Sequence, residues 1–186
     1  MASTALRDAL ASSQRLGMLG DRPIAEVIEH AEAFVDALRD VRGLVVDLGS
    51  GGGVPGLVVA EARPDLRLLL VDRRSARTDH LSRLVRRLGL DERVEVRCVD
   101  ASALTPATPP AAVIARGFGS PELTARVAAA LLAPSGLLVV SEPPGGPDRW
   151  DAIATFVRRE WPDRRVAVLT RVPRGTPPRP GDAGHR

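Results

Sequence analysis

Val45-Val46-Asp47-Leu48-Gly49-Ser50-Gly51-Gly52-Gly53-Val54-Pro55-Gly56 is the stretch on which the fold of this chain turns. Leu44–Leu48 is a continuous apolar run broken only by Asp47, as expected of a strand buried on both faces. Four glycines within five positions follow it, and Pro55 then opens a helical stretch to Ala62. Glycines let a backbone turn sharply and approach a ligand closely, and the helix after them presents free N–H groups. The segment formally fits the G-x-G-x-x-G dinucleotide fingerprint from Gly51 to Gly56. A carboxylate at the strand tip, however, repels a pyrophosphate, and Asp47 stands there. An oxidoreductase that binds a nicotinamide dinucleotide is therefore a rival reading and not the first one.

Outward from this loop the pattern repeats. Apolar runs at 66–71, 94–99, 112–115, 137–140 and 166–170 alternate with helical stretches at 76–88, 121–132 and 148–161. Such alternation predicts an α/β fold, a doubly wound and mainly parallel sheet covered on both faces. Residues 1–42 read as an N-terminal helical extension: Asp21-Arg22-Pro23 is a start signal, a capping carboxylate and then proline in the first turn, and Ile24, Val27, Ile28, Ala31, Phe34, Val35 and Leu38 recur at helical spacing. A weaker helix precedes it around Leu6, Leu10 and Leu16. Residues 43–172 form the main domain, and 173–186 a tail rich in Pro, Gly and Arg that is expected to be irregular.

Acids also end the next two strands. Asp72 closes the second, 16 residues after Gly56, where a carboxylate can accept from ribose hydroxyls. Asp100, followed by Ala101 and Ser102, ends the third, where it can accept from an adenine amino group or cap a turn. The Asp-Leu-Gly-Ser-Gly-Gly-Gly run resembles the first motif of class I S-adenosylmethionine-dependent methyltransferases, in which the acid helps hold the amino acid end of the cofactor.

A narrower resemblance covers roughly Val45 to Glu142. The Asp47–Gly56 loop with its Pro55-Gly56, Asp72 followed by Arg77 and Leu81, Ala115-Arg116-Gly117-Phe118 and Ser135-Gly136-Leu137-Leu138 together resemble the RsmG or GidB type of small-subunit ribosomal RNA guanine-N7 methyltransferase. Arg171-Val172-Pro173-Arg174-Gly175 faintly resembles the terminal motif of that family. The resemblance implies S-adenosylmethionine as cofactor, a guanine N7 of 16S rRNA as target, and the ribosomal RNA or small ribosomal subunit as partner. It implies that Asp47, Gly49, Gly51, Gly53 and Val54 line the cofactor's methionine end and loop, Asp72 its ribose, and Asp100, Ala101 and Ser102 its adenine. Arg116 then borders the catalytic pocket. Several departures surround the substrate side: the N-terminal Trp-Asn and Asn-Leu-Thr segments of the family are not found, Ala33 and Phe34 replace the start of its Asp-Ser-Leu, His80 stands where it prefers Phe and Ser102 where it commonly has Glu, and Ser141-Glu142-Pro143-Pro144 replaces a Lys-Gly after the fifth strand. A methyltransferase of another RNA or of a small molecule, and a non-catalytic paralogue, remain open beside the main reading.

Composition narrows the remaining classes. The chain has 186 residues, 44% apolar and 26% charged, which suits one globular domain. No apolar run reaches the roughly 18 residues of a membrane helix, and the N-terminus has early charges and no signal core, so a cytoplasmic chain is expected. One cysteine excludes an internal disulfide, and His30, His80 and His185 share no metal-ligand spacing, so no metal is expected. Cys98 reads as a core residue, His30 and His80 as polar helix positions, Phe118 as core or, best placed among the few aromatics, as a base-stacking residue, and Trp150 and Trp161 as anchors of the last helix. All 26 basic residues are arginine and the net charge is +3. Arg73, Arg74, Arg77, Arg83, Arg86 and Arg87 cluster on and before one helix, suited to phosphate contact or to a solvated face.

Overall fold

The computed structural model describes residues 2–142, 149–150, 153–163 and 165–172. The expected tail from Pro173, the Pro143-Pro144 departure and part of the expected 148–161 helix lie outside them.

Seven strands form one sheet in the order β3-β2-β1-β4-β5-β7-β6. These are β1 (Gly43–Leu48), β2 (Leu66–Asp72), β3 (Val94–Cys98), β4 (Ala112–Ala115), β5 (Leu137–Ser141), β6 (Phe156–Arg159) and β7 (Val166–Arg171). The first five are parallel, and β7 runs antiparallel to both β5 and β6. Helices α1 (Thr4–Arg15), α2 (Ile24–Ala37), α3 (Gly56–Ala62), α4 (Ser75–Arg87) and α5 (Pro121–Leu131) cover it.

The alternation of side chains along each strand divides the core in two. Val45, Leu68, Leu70, Ile114, Val139 and Val168 face α1–α4, packing with Leu6, Leu10, Phe34, Leu57 and Leu81. Val46, Leu48, Leu69, Val71, Val113, Leu138 and Leu169 face the other way, against Ala125, Ala128 and Leu131 of α5. Thus α1 and α2 share one apolar layer with the sheet. Both α1 and α5 start at a serine that accepts from a backbone N–H, Ser3 from Leu6 and Ser120 from Leu123.

Several expectations are corrected. Asp21 does not cap α2; the helix starts after Pro23 without a side-chain cap. Leu16 lies beyond α1 and is 58% exposed. The expected helix over 148–161 contains β6 instead. Phe156 is buried and Val157 is exposed there, the two-residue alternation of a strand paired with β7 on one side only. Trp150 is buried in the α5-side layer, and Trp161 lies beneath the Arg39 guanidinium, 4.9 Å from ring centroid to Cζ. Cys98 is exposed, because β3 is the edge strand and Cys98 its last residue. His80, by contrast, is a polar position of α4 as expected, buried and held by the Ser13 hydroxyl at 2.9 Å.

Candidate active site

The chain leaves β1 on one side towards β2 and β3, and returns on the other side with β4. The carboxyl ends of β1 and β4 therefore meet at the switch point of the sheet, where open α/β folds bind ligands. Asp47 and Arg116 sit there: Asp47 is paired with Ile114 across the ladder, and Arg116 follows the last residue of β4.

The glycine loop takes its shape from backbone conformations that side chains resist. Gly49, Gly51 and Gly53 have φ of 68°, 54° and 100°. At Gly49 a Cβ would also meet the Phe118 ring at 3.1 Å. Phe118 is thus half-buried over the loop and belongs to its lining, a role that its core reading did not include. Ser50, unremarked in the sequence, ties the loop down. Its N–H donates to the Val71 carbonyl (2.9 Å), its hydroxyl donates to the Asp47 carbonyl (3.0 Å), and the Val71 N–H donates to that hydroxyl (3.0 Å). Val54 is buried just beyond.

Asp47 is completely buried. Its Oδ2 accepts from the Gly56 N–H at 3.1 Å, whereas Oδ1 has no hydrogen-bond partner among the described residues. Burial pushes this carboxyl up to about 7, against the opposing pull of Ser50, the Gly56 N–H and Arg116. Arg116 is partly buried in turn. Burial lowers its pKa, Asp47 acts in the opposite sense, and Arg22 adds to the lowering. A buried acid with one unmatched oxygen costs free energy unless a donor or a cation arrives.

Asp72 is 5% exposed and does more than wait for a ligand. Its carboxylate accepts from the Gly51 N–H (3.1 Å), the Arg74 N–H (3.0 Å) and Arg77 Nη1 (3.4 Å). It therefore clamps the loop to the end of β2 and to the start of α4, and keeps about one of its four acceptor positions for another donor. Arg77 is turned inward by this contact, unlike the exposed Arg73, Arg74, Arg83, Arg86 and Arg87. Asp100 is exposed and caps the 3-10 turn Ala101–Ala103, its Oδ1 accepting from the Ser102 N–H (2.9 Å) and hydroxyl (2.5 Å). Ala101 is buried and Ser102 exposed. The parallel ladder sets Asp72 opposite Cys98, and the Val99 N–H donates to the Asp72 carbonyl, so the Asp72 and Asp100 segments adjoin at the rim.

A sheet of this order, bearing a glycine loop at its switch point, is the Rossmann-like methyltransferase fold. A methyltransferase from Geobacter sulfurreducens shares it at a TM-score of 0.68, with 17% identity, over 92% of this chain and 90% of that one. The family model of rRNA small subunit methyltransferase G, the GidB family, matches residues 5–142, and the chain belongs to that family. Its relatives include ribosomal RNA small subunit methyltransferase G of Acidothermus cellulolyticus, 36% identical over 126 residues, which are 66% of this chain and 55% of the relative. That of a Nocardioides species is 57% identical over 60 residues, 32% of this chain and 24% of the relative. The chain thus spans between a quarter and about half the length of these curated relatives.

Proposed function

We propose that this protein is an S-adenosylmethionine-dependent methyltransferase that modifies N7 of a guanine in 16S rRNA, acting in the cytoplasm. Residues 43–172 would form the transferase unit, with 1–42 as its helical extension. The observation that carries the reading is the unmatched Oδ1 of buried Asp47 beside the glycine loop, in a chain of this family.

The residues fit the cofactor. Asp47 offers an acceptor to its ammonium end. Gly49, Gly51 and Gly53 open the backbone, Val54 and Phe118 line it, Asp72 keeps an acceptor for a ribose hydroxyl, and Asp100, Ala101 and Ser102 border the adenine. When bound, S-adenosylmethionine supplies an electrophilic methyl group on a sulfonium. Guanine N7 carries a lone pair and no proton, so the chain has no proton to remove. Its residues act by alignment and by exclusion of water, which contribute roughly 7–11 kcal/mol in well-oriented systems. Arg116, at the end of β4, offers donors to the oxygens of the target nucleotide. The exposed arginines on and before α4 supply phosphate contacts.

Removing the Asp72 carboxylate unclamps the loop and removes the ribose acceptor together. Asp72→Ala is expected to weaken S-adenosylhomocysteine binding about tenfold, or about 1.4 kcal/mol, in titration calorimetry. Unchanged affinity refutes that role. Arg116→Ala is expected to lower the transfer rate more than cofactor affinity, and equal losses in both contradict a pocket role. The function itself is tested by transferring a labelled methyl group to 30S particles from a strain lacking this gene, followed by nucleoside mass spectrometry. Label in 7-methylguanosine is the expected result. Label only in other RNA of the same strain favours the alternative acceptor.

A further inference from the structure

The connection between α1 and α2 crosses the outer side of the glycine loop. A Cβ on Gly52 would lie 2.6 Å from Leu19 Cγ and 2.9 Å from the Met18 carbonyl oxygen, and one on Gly51 would lie 3.8 Å from that same oxygen. The φ of Gly52 is outside the left-handed region, so its bare Cα is required by this close approach and not by the turn.

The connection is itself held from α1. Gln14 Nε2 donates to the Gly20 carbonyl (2.6 Å) and to the Arg22 carbonyl (2.8 Å), bridging the two with both hydrogens of one amide. The Met18 N–H donates to the Ser13 carbonyl (3.0 Å), and Gly17, at φ 67°, turns the chain back. The Ser13 hydroxyl meets His80 Nε2 at 2.9 Å in the interior, which ties α1 to α4, the helix that also carries Arg77.

We propose that Gln14 is a positioning residue for the cofactor. By bridging the two carbonyls it sets Met18 and Leu19 against Gly51 and Gly52, and thereby holds the loop in its binding shape. The inference rests on reading that loop as the S-adenosylmethionine site, and it extends the site to the N-terminal helices. A loop held in place before binding loses less freedom when the ligand arrives.

The test is a double-mutant cycle on the full chain, with S-adenosylhomocysteine binding read by calorimetry and apo stability read by thermal melting. Gln14→Ala and Gln14→Glu are each expected to raise the dissociation constant roughly tenfold, the size of two neutral hydrogen bonds. Glutamate fails too, because it presents acceptors to two carbonyls. Gly52→Ala, which displaces Leu19 from the other side, is expected to do the same. The double variant Gln14→Ala/Gly52→Ala should be hardly weaker than either single one, since both break the same contact. Affinities within about twofold of the parent in the Gln14 variants, or fully additive losses, overturn the proposal, whatever happens to the melting temperature. If the parent protein does not bind S-adenosylhomocysteine at all, the cofactor reading fails with it, a result distinct from either of those.

Discussion

Gly56→Val is expected to abolish measurable S-adenosylhomocysteine binding and to destabilise the fold by about 3 kcal/mol. A Cβ at Gly56 would lie 2.5 Å from Asp47 Oδ2 and 2.5 Å from Leu70 Cδ2. Neither can yield. Leu70 is fully buried in β2, and Asp47 is fully buried in β1 with its Oδ2 bound to the Gly56 N–H itself. The φ of Gly56 is outside the left-handed region, so the cost is crowding and not backbone strain. Overpacking of this kind costs about 1–3 kcal/mol, and pushing Asp47 off its donor adds the loss of a hydrogen bond to a carboxylate. Urea unfolding and calorimetry read the two effects. Gly20→Ala is the control: nothing lies within 4 Å of a Cβ there, and stability should stay within roughly 0.5 kcal/mol. Parental binding by Gly56→Val would show that the start of α3 does not shape the site.

Asp47→Asn is expected to have opposite effects on stability and binding. The carboxyl is raised by burial to about 7, above its ordinary value of 3.8. A raised folded-state pKa contributes stability that is fully present below 3.8 and is lost as pH rises through about 7. The apo parent should therefore weaken between about pH 4 and pH 7 through this group, and Asp47→Asn should lose less over the same interval. Binding runs the other way. The ammonium of the ligand favours the ionised carboxyl, so parental affinity for S-adenosylhomocysteine should climb from about pH 6 to about pH 7.5 with proton release. Asp47→Asn should flatten that climb and, at its upper end, bind roughly ten- to a hundredfold more weakly. Calorimetry in buffers of different ionisation enthalpy measures the proton release directly. A pH-independent parental affinity would remove Asp47 from the cofactor's charged end.

Arg77 shows how far a pattern of residue types carries. The sequence groups it with five neighbouring arginines as a phosphate-binding face. Side-chain direction on α4 separates it, since from the first turn of the helix it reaches back to Asp72. Asp100 is the reverse case: a capping role was open from the local order Asp-Ala-Ser, and the cap forms because donor and acceptor are two residues apart. Phe156–Arg159 could not be recognised as a strand, because four residues with two arginines carry little pattern of their own. Their extended form depends on β7, which follows them in sequence and runs antiparallel to them.

What the sequence by itself determined is the set of features that rest on neighbours along the chain. These are the buried strand leading through glycines into α3, the periodic faces of α2 and α4, and the acids at the strand ends. Backbone conformation and side-chain periodicity are local, so residue order suffices to state them. Tertiary structure alone decided that Asp47 is sealed with one oxygen unmatched, that Asp72 clamps Gly51, that Cys98 lies on an open edge, and that Met18 and Leu19 press on Gly52. Each of these depends on segments about 20 or more residues apart meeting in space, and burial and pKa follow from that meeting rather than from the identity of any one residue.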